Sequence, residues 1–269
     1  MSEALRKRIV TAVVLGATLL AVLFLLPPAA TVLVLTVVVL LGAWEWSAFL
    51  RLRTPALRVA YVLLVAALLY VAWRFTGSPL ARNVVLAAAV LWWVAALLWI
   101  VRAPRRVPPW SAALAGVLAL VPSWLALVEL RRAPQGADWM LFALLLIWVA
   151  DIGAFFVGQR FGRLRLAPEV SPGKTWEGVV GGIAVSALVA VAGSVRFGVP
   201  LALFLPLCLA TVGFSIVGDL TESLLKRSAG LKDSGTILPG HGGVMDRIDS
   251  LTGAAPVLLL GLTLMGVLA

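Results

Sequence analysis

Charge is scarce in this chain. Asp, Glu, Lys and Arg make up 13% of its 269 residues while 62% are hydrophobic, against roughly 25% charged in an ordinary soluble domain. Even a large soluble fold leaves about a quarter of its chain surface in water, so no soluble core could hide this apolar content. A lipid bilayer is the solvent that accepts it. Cysteine is nearly absent too: Cys208 is the only one, and it sits in an apolar run. That excludes an intrachain disulfide and leaves a small buried hydrophobe. No cleavable signal is evident, because the first apolar stretch runs on into a second. The little charge present leans basic, at net +10. No nucleic acid is implied, since no region reads as a soluble basic domain with interleaved aromatics. Basic residues flanking apolar runs are the ordinary mark of membrane topology.

What is abundant is span-length apolar sequence. A bilayer core takes about 20 apolar residues per helix, within roughly 17 to 25. Nine segments meet that rule: 9–26, 29–50, 57–73, 83–101, 110–130, 138–157, 178–195, 199–218 and 250–269. The fold class expected is therefore an all-α membrane protein, a polytopic bundle of about nine transmembrane helices. Pro27–Pro28, Gly77–Ser78–Pro79, Pro108–Pro109 and Gly198–Val199–Pro200 punctuate the joins. The basic residues then alternate. Arg6, Lys7, Arg8, Arg51, Arg53, Arg58, Arg102, Arg105, Arg106, Arg160, Arg163, Arg165, Lys174, Lys226, Arg227, Lys232 and Arg247 fall on one side. Only Arg74, Arg82, Arg131, Arg132 and Arg196 fall on the other. The alternation predicts the N-terminus inside and the C-terminus outside, and a count of eight spans scrambles it. Trp44, Trp46, Trp73, Trp99, Trp110, Trp139 and Trp176 lie where an aromatic belt would place them.

Most loops are too short to hold a site. The exceptions, 158–177 and 219–249, both inside, carry seven of the twelve acids. Residues 1–137 thus read as N-terminal spans and 138–269 as the catalytic region. In the later segment, Asp219, Glu222 or Ser223, and Lys226 recur at helical spacing on one face of a continuation of the eighth span. A glycine-rich loop through Gly240–His241–Gly242–Gly243 follows, and then Asp246 and Asp249, spaced i, i+3, open the ninth span. Three carboxylates crowded at the edge of a low-dielectric region repel one another. Magnesium is the natural partner, since it takes one or two protein carboxylates and completes its shell with water and phosphate oxygens. The bland alternative is a solvated helix start whose acids favour the helix dipole.

In the earlier segment Gly173–Lys174–Thr175 invites comparison with a P-loop, but that motif needs a glycine where Pro168 stands. Ser171–Pro172–Gly173 is instead expected to form a turn, with Lys174 and Thr175 facing an anion before a helix near Trp176. Asp151 lies within the sixth span, where a carboxylate serves either a site or a helix-helix hydrogen bond. Glu45 and Glu129, near span ends, read as structural. His241, the only histidine, reads as a phosphate or loop-positioning residue before a general base, because a phosphate monoester is already ionised at neutral pH.

The run Ser223, Lys226–Arg227, Lys232–Asp233, His241–Gly242–Gly243 and Asp246–Arg247–Ile248–Asp249 resembles the signature of the phosphatidate cytidylyltransferases (CDP-diacylglycerol synthases). Ser171 to Gly178 is similar to that family's second motif, except that Gly173 stands where many members have a second lysine. The resemblance is specific from Asp151 to Asp249. It implies conversion of CTP and phosphatidate to CDP-diacylglycerol and pyrophosphate with magnesium, a second, monovalent cation being left open. It implies Asp219, Asp246 and Lys226 as catalytic residues, with Asp219, Asp246 and Asp249 holding metal. Ser171, Lys174, Thr175, Ser223, Arg227, Lys232, His241 and Arg247 would bind substrate. It also implies a homodimer in a bacterial-type inner membrane with the site on the cytoplasmic face. Two other classes compete. A CDP-alcohol phosphotransferase should show an Asp-Gly opening with Ala-Arg, which is not found. A transporter gathers its polar residues at the midplane of repeated halves, whereas these crowd one end.

Overall fold

Proline and glycine mark the limits of nearly every helix. In this computed structural model, which describes residues 3–52, 54–75, 77–102, 106–238 and 242–268, the helices are α1 (Glu3–Phe24), α2 (Pro28–Trp46), α3 (Pro55–Phe75), α4 (Pro79–Arg102), α5 (Pro109–Arg132), α6 (Gly136–Phe161), α7 (Trp176–Phe197), α8 (Leu201–Ala229) and α9 (Met245–Leu264). Pro28 and Pro109 occupy first helical positions, where the missing amide costs nothing. Gly198 and Gly230 end α7 and α8 at positive φ, 66° and 75°. The amides of Gly230 and Leu231 close the last turn of α8 onto the carbonyls of Arg227 and Lys226. Eight of these helices are long and apolar enough to cross a membrane, and α1 contributes a shorter apolar stretch, Val13–Phe24.

Among the described residues nine helices fall on the nine expected segments, eight of them long enough to span, and two of their ends carry the acids as expected. Helix α8 continues eleven residues past the expected end at 218, so Asp219 to Lys226 ride on its last turns. Helix α9 starts at Met245, which brings Asp246 and Asp249 inside the helix. The all-α bundle carries one addition that the expected spans do not include. Strands β1 (Arg165–Ala167) and β2 (Ser171–Thr175) form an antiparallel hairpin between α6 and α7, pairing Arg165 with Thr175 and Ala167 with Ser171. Pro168, Pro172 and Gly173 bar a helix here, and a two-stranded ribbon satisfies the backbone that remains. Lys174 therefore lies in a strand and not in the expected turn.

Helix α5 is the centre of the bundle. Ala112, Ala115, Ala119 and Leu120 on it are fully buried, and α2, α3, α4, α6 and α9 pack around it. Helix α9 touches α2, α4 and α5 as well as α6 and α8, so residues 1–137 and 138–269 share one core. Outward positions are apolar as well, Leu91 at 71% and Leu63 at 63% exposure among them. In water such side chains would be a liability, and in lipid they are the contact surface. Helices α8 and α9 meet where Gly218 faces the Asp249 carbonyl; a Cβ on Gly218 would sit 2.5 Å from that oxygen. This approach sets the charged ends of the two helices side by side.

Candidate active site

The end of α8 and the start of α9 are joined by a buried lysine. Lys226 Nζ lies 2.6 Å from Glu222 Oε2 and 2.7 Å from Asp246 Oδ1. The side chains of Lys226, Glu222 and Asp246 are 12%, 1% and 7% exposed. Helical spacing alone brings Glu222 to Lys226, at i and i+4. Asp246 has further partners: its Oδ2 accepts from the amides of Gly243 at 2.8 Å and Ser234 at 3.0 Å. Both ends of the intervening loop therefore converge on one carboxylate. Two acids share one lysine, and among the described residues Oε1 of Glu222 is buried without a hydrogen-bond partner.

A second, more open pair lies beside it. Lys174 Nζ, from β2, reaches Asp219 Oδ2 at 2.6 Å, with side chains 28% and 27% exposed. Ser223 Oγ donates to Asp219 Oδ1 at 3.3 Å. Two bonds fix the hairpin to α7: Thr175 Oγ1, at the N-cap, accepts from the amide of Gly178 at 3.1 Å, and the Glu177 carboxylate accepts from the amide of Leu164 at 3.2 Å. Asp151 feels the charges of Lys174, Asp219 and Arg247, and Asp249 those of Asp219 and Glu222.

The expected residues thus divide. Asp219, Ser223, Lys174, Lys226, Asp246 and Asp249 come together across three elements. Thr175 is 6% exposed and its hydroxyl is spent on the helix cap, which corrects its expected role as a substrate contact. Ser171 pairs within the hairpin. Arg227, Lys232 and Arg247 are exposed at the same end, with no ion-pair partner among the described residues. His241 lies outside the described residues. Among the described residues no three acids, histidines or cysteines are placed to cage a metal. Asp219, partly exposed, still fits a divalent ion that arrives with phosphate oxygens, because magnesium asks for only one or two carboxylates. Asp246 could join it only by giving up Lys226 or an amide.

Glu45 was read as structural, and it proves to be the first half's link to this site. It is 2% exposed; its Oε2 accepts from Ser234 Oγ at 3.1 Å and from the Met245 amide at 2.7 Å. A second tie comes from Ser228, whose hydroxyl accepts from the Val107 amide at 2.7 Å and from Arg51 Nη2 at 3.1 Å.

Fold and site together define a polytopic helical membrane protein with lysine-carboxylate pairs gathered at one end of the bundle, chemistry suited to phosphate groups at a membrane surface. The sequence comparisons agree. The chain belongs to the cytidylyltransferase family, whose model matches residues 6–265. It is 44% identical over 260 residues to the phosphatidate cytidylyltransferase of Pseudomonas aeruginosa, covering 94% of this chain and 95% of that one. The phosphatidate cytidylyltransferase of Haemophilus influenzae is 38% identical over 279 residues, covering 94% and 96%. That of Bacillus subtilis is 42% identical over 141 residues, about half of each chain.

Proposed function

We propose that the chain transfers the cytidylyl group of CTP to phosphatidate, giving CDP-diacylglycerol and pyrophosphate for phospholipid synthesis. The observation that carries the reading is the pair of lysine-carboxylate contacts at one end of the bundle, Lys174–Asp219 and Lys226–Asp246, in a chain of the cytidylyltransferase family. A phosphatidate oxygen attacks the α-phosphorus of CTP. The bond from that phosphorus to the β-phosphate bridging oxygen breaks, and pyrophosphate leaves with the electron pair. The nucleophile is already ionised, so positioning and charge neutralisation are what the protein supplies.

Lys174 is the cation best placed for the triphosphate, since its present partner, Asp219, is itself open to solvent. Arg227, Lys232 and Arg247 supply further positive charge around the departing pyrophosphate. Lys226, held between two carboxylates, keeps α8 and α9 in register. A bound magnesium ion would neutralise triphosphate charge, with Asp219 the carboxylate most open to it and Asp246 and Asp249 beside. The alternation of basic residues and the supply of CTP in the cytoplasm support a site on the cytoplasmic face of an inner membrane, with the N-terminus inside. A homodimer, implied by resemblance, is tested by the mass of the protein in detergent.

The direct test is radiolabelled CTP with phosphatidate on purified protein. Labelled CDP-diacylglycerol and pyrophosphate are expected. No lipid product with phosphatidate, or faster turnover of an isoprenoid phosphate, overturns the substrate assignment.

A further inference from the structure

We infer that Glu45 is a positioning residue of this site, fastening both ends of the α8–α9 loop so that Asp246 and Lys226 stand in reacting register. The residue belongs to α2, some 190 to 200 positions from its partners by sequence, and its hydrogen bonds among the described residues go to Ser234 and Met245.

The geometry is a three-level clamp. A single oxygen, Glu45 Oε2, accepts from the hydroxyl of Ser234 at the loop's beginning and from the amide of Met245 at its end. Ser234 passes the constraint on: its amide donates to Asp246 Oδ2 at 3.0 Å, and its hydroxyl accepts from the Asp246 amide at 3.3 Å. Asp246 in turn holds Lys226 at 2.7 Å. The loop backbone closes on the carboxylate so tightly that a Cβ at Gly235 or Gly243 would collide with it. Among the described residues Glu45 and Ser234 share the capping of the helix start, Glu45 taking the Met245 amide and Ser234 that of Asp246. The N-cap of α9, Val244, offers no side-chain hydrogen bond, so the first amide of α9 is capped from a different helix. An anion there is favoured by the helix dipole as well.

Charge is part of the device. A carboxylate bonds two donors through one oxygen more strongly than a neutral amide can. A glutamine would also set an amino group where Oε1 now lies, buried and without a hydrogen-bond partner. Glu45→Gln should therefore loosen the loop without emptying the core.

The test reads backbone amide exchange and kinetics on the full-length protein in detergent, for Glu45→Gln, Ser234→Ala and the double variant. Exchange across 234–238 and 242–245 should quicken at least tenfold in Glu45→Gln, while α5 keeps its protection. The kinetic arm rests on the cytidylyltransfer reading: kcat should fall about tenfold or more with the KM for CTP nearly unchanged, since misplacement of reacting groups by about 1 Å costs up to about a hundredfold. Ser234→Ala should lose less, and the double variant no more than Glu45→Gln alone, because both act through one linkage. Unchanged loop exchange in Glu45→Gln overturns the inference. So does exchange that rises evenly through α2, α5 and α9 with full kcat per folded molecule, which marks a merely structural acid. If wild-type protein turns over no CTP, the reaction assignment has failed, and the exchange arm still decides for or against Glu45.

Discussion

Lys226 sits between the carboxylates of Glu222 and Asp246, 1% and 7% exposed, so its loss leaves two shielded charges uncompensated. Removing one member of a buried ion pair leaves its partners uncompensated and costs about 3–5 kcal/mol. Lys226→Met is expected to lower thermal stability by that order and to abolish activity together, read by melting temperature and labelled-CTP turnover. Lys174 is different, because its contact with Asp219 is more than a quarter exposed and screened pairs contribute about 0–1 kcal/mol. Lys174→Ala should leave the melting temperature almost unchanged and raise the KM for CTP, lower kcat, or both; wild-type kinetics at limiting CTP would reduce it to a topology marker. The two aspartates separate along the same line. Asp219→Asn should lose activity by orders of magnitude and shift the magnesium dependence while staying folded. Asp246→Asn should lose activity and stability, since it strips Lys226 and two loop amides of their charged acceptor. Full activity in folded Asp219→Asn would remove it from the metal's shell.

At the level of elements, Gly218 on α8 and Gly253 on α9 decide how near the two helices can come, since a Cβ on Gly253 would sit 2.2 Å from the Phe214 carbonyl oxygen. A methyl on Gly218 meets the Asp249 carbonyl, which is backbone and cannot turn aside, and overpacking of this kind typically costs about 1–3 kcal/mol. Gly218→Ala should lower the melting temperature and reduce turnover through displacement of Asp249; a wild-type value for both would show that the helices have slack. What was legible here follows from the range of the interaction. The face carrying Asp219, Ser223 and Lys226 is set by helical periodicity within eight residues, so sequence displays it directly. The β-hairpin is not displayed, because three- and five-residue strands leave too short an alternation to read against Pro168 and Pro172. Nor is the spending of Thr175 on a cap, which depends on where α7 begins. Glu45 shows the other limit. One acid at the end of an apolar span looks like any interfacial residue, and its partners Ser234 and Met245 become neighbours only through the packing of α2 on α9.

For the whole molecule, orientation is the property that ties site to substrate. The 17 basic residues that the nine-span reading puts on one side include every lysine and arginine of the candidate site. A reporter inserted near Gly235 should report the inside and one fused after Ala269 the outside, and both on the same side would end the nine-span topology. Because α9 packs on α2, α4 and α5, residues 138–269 produced alone should not turn over CTP. Restoring 1–137 as a separate chain should return activity if the two pieces assemble, measured in membranes carrying both.

The reach of Glu45 also has a meaning in time. Ser234 and Met245 emerge from the ribosome 189 and 200 residues after it. At roughly 5–20 residues per second that is an interval of about 10–40 s. Throughout it the second helix carries an ionisable group with neither of its native donors, at a point that becomes one of the least hydrated in the finished protein. A carboxylate without partners is held by water and not by lipid, so the inner end of α2 should stay wet and undocked until synthesis is nearly over. The bundle would then lock from its last-made helix backward, and with Cys208 replaced, a nascent chain stopped before Ser234 should leave a cysteine placed at position 47, buried in the finished fold, open to a water-soluble thiol reagent that the completed protein excludes.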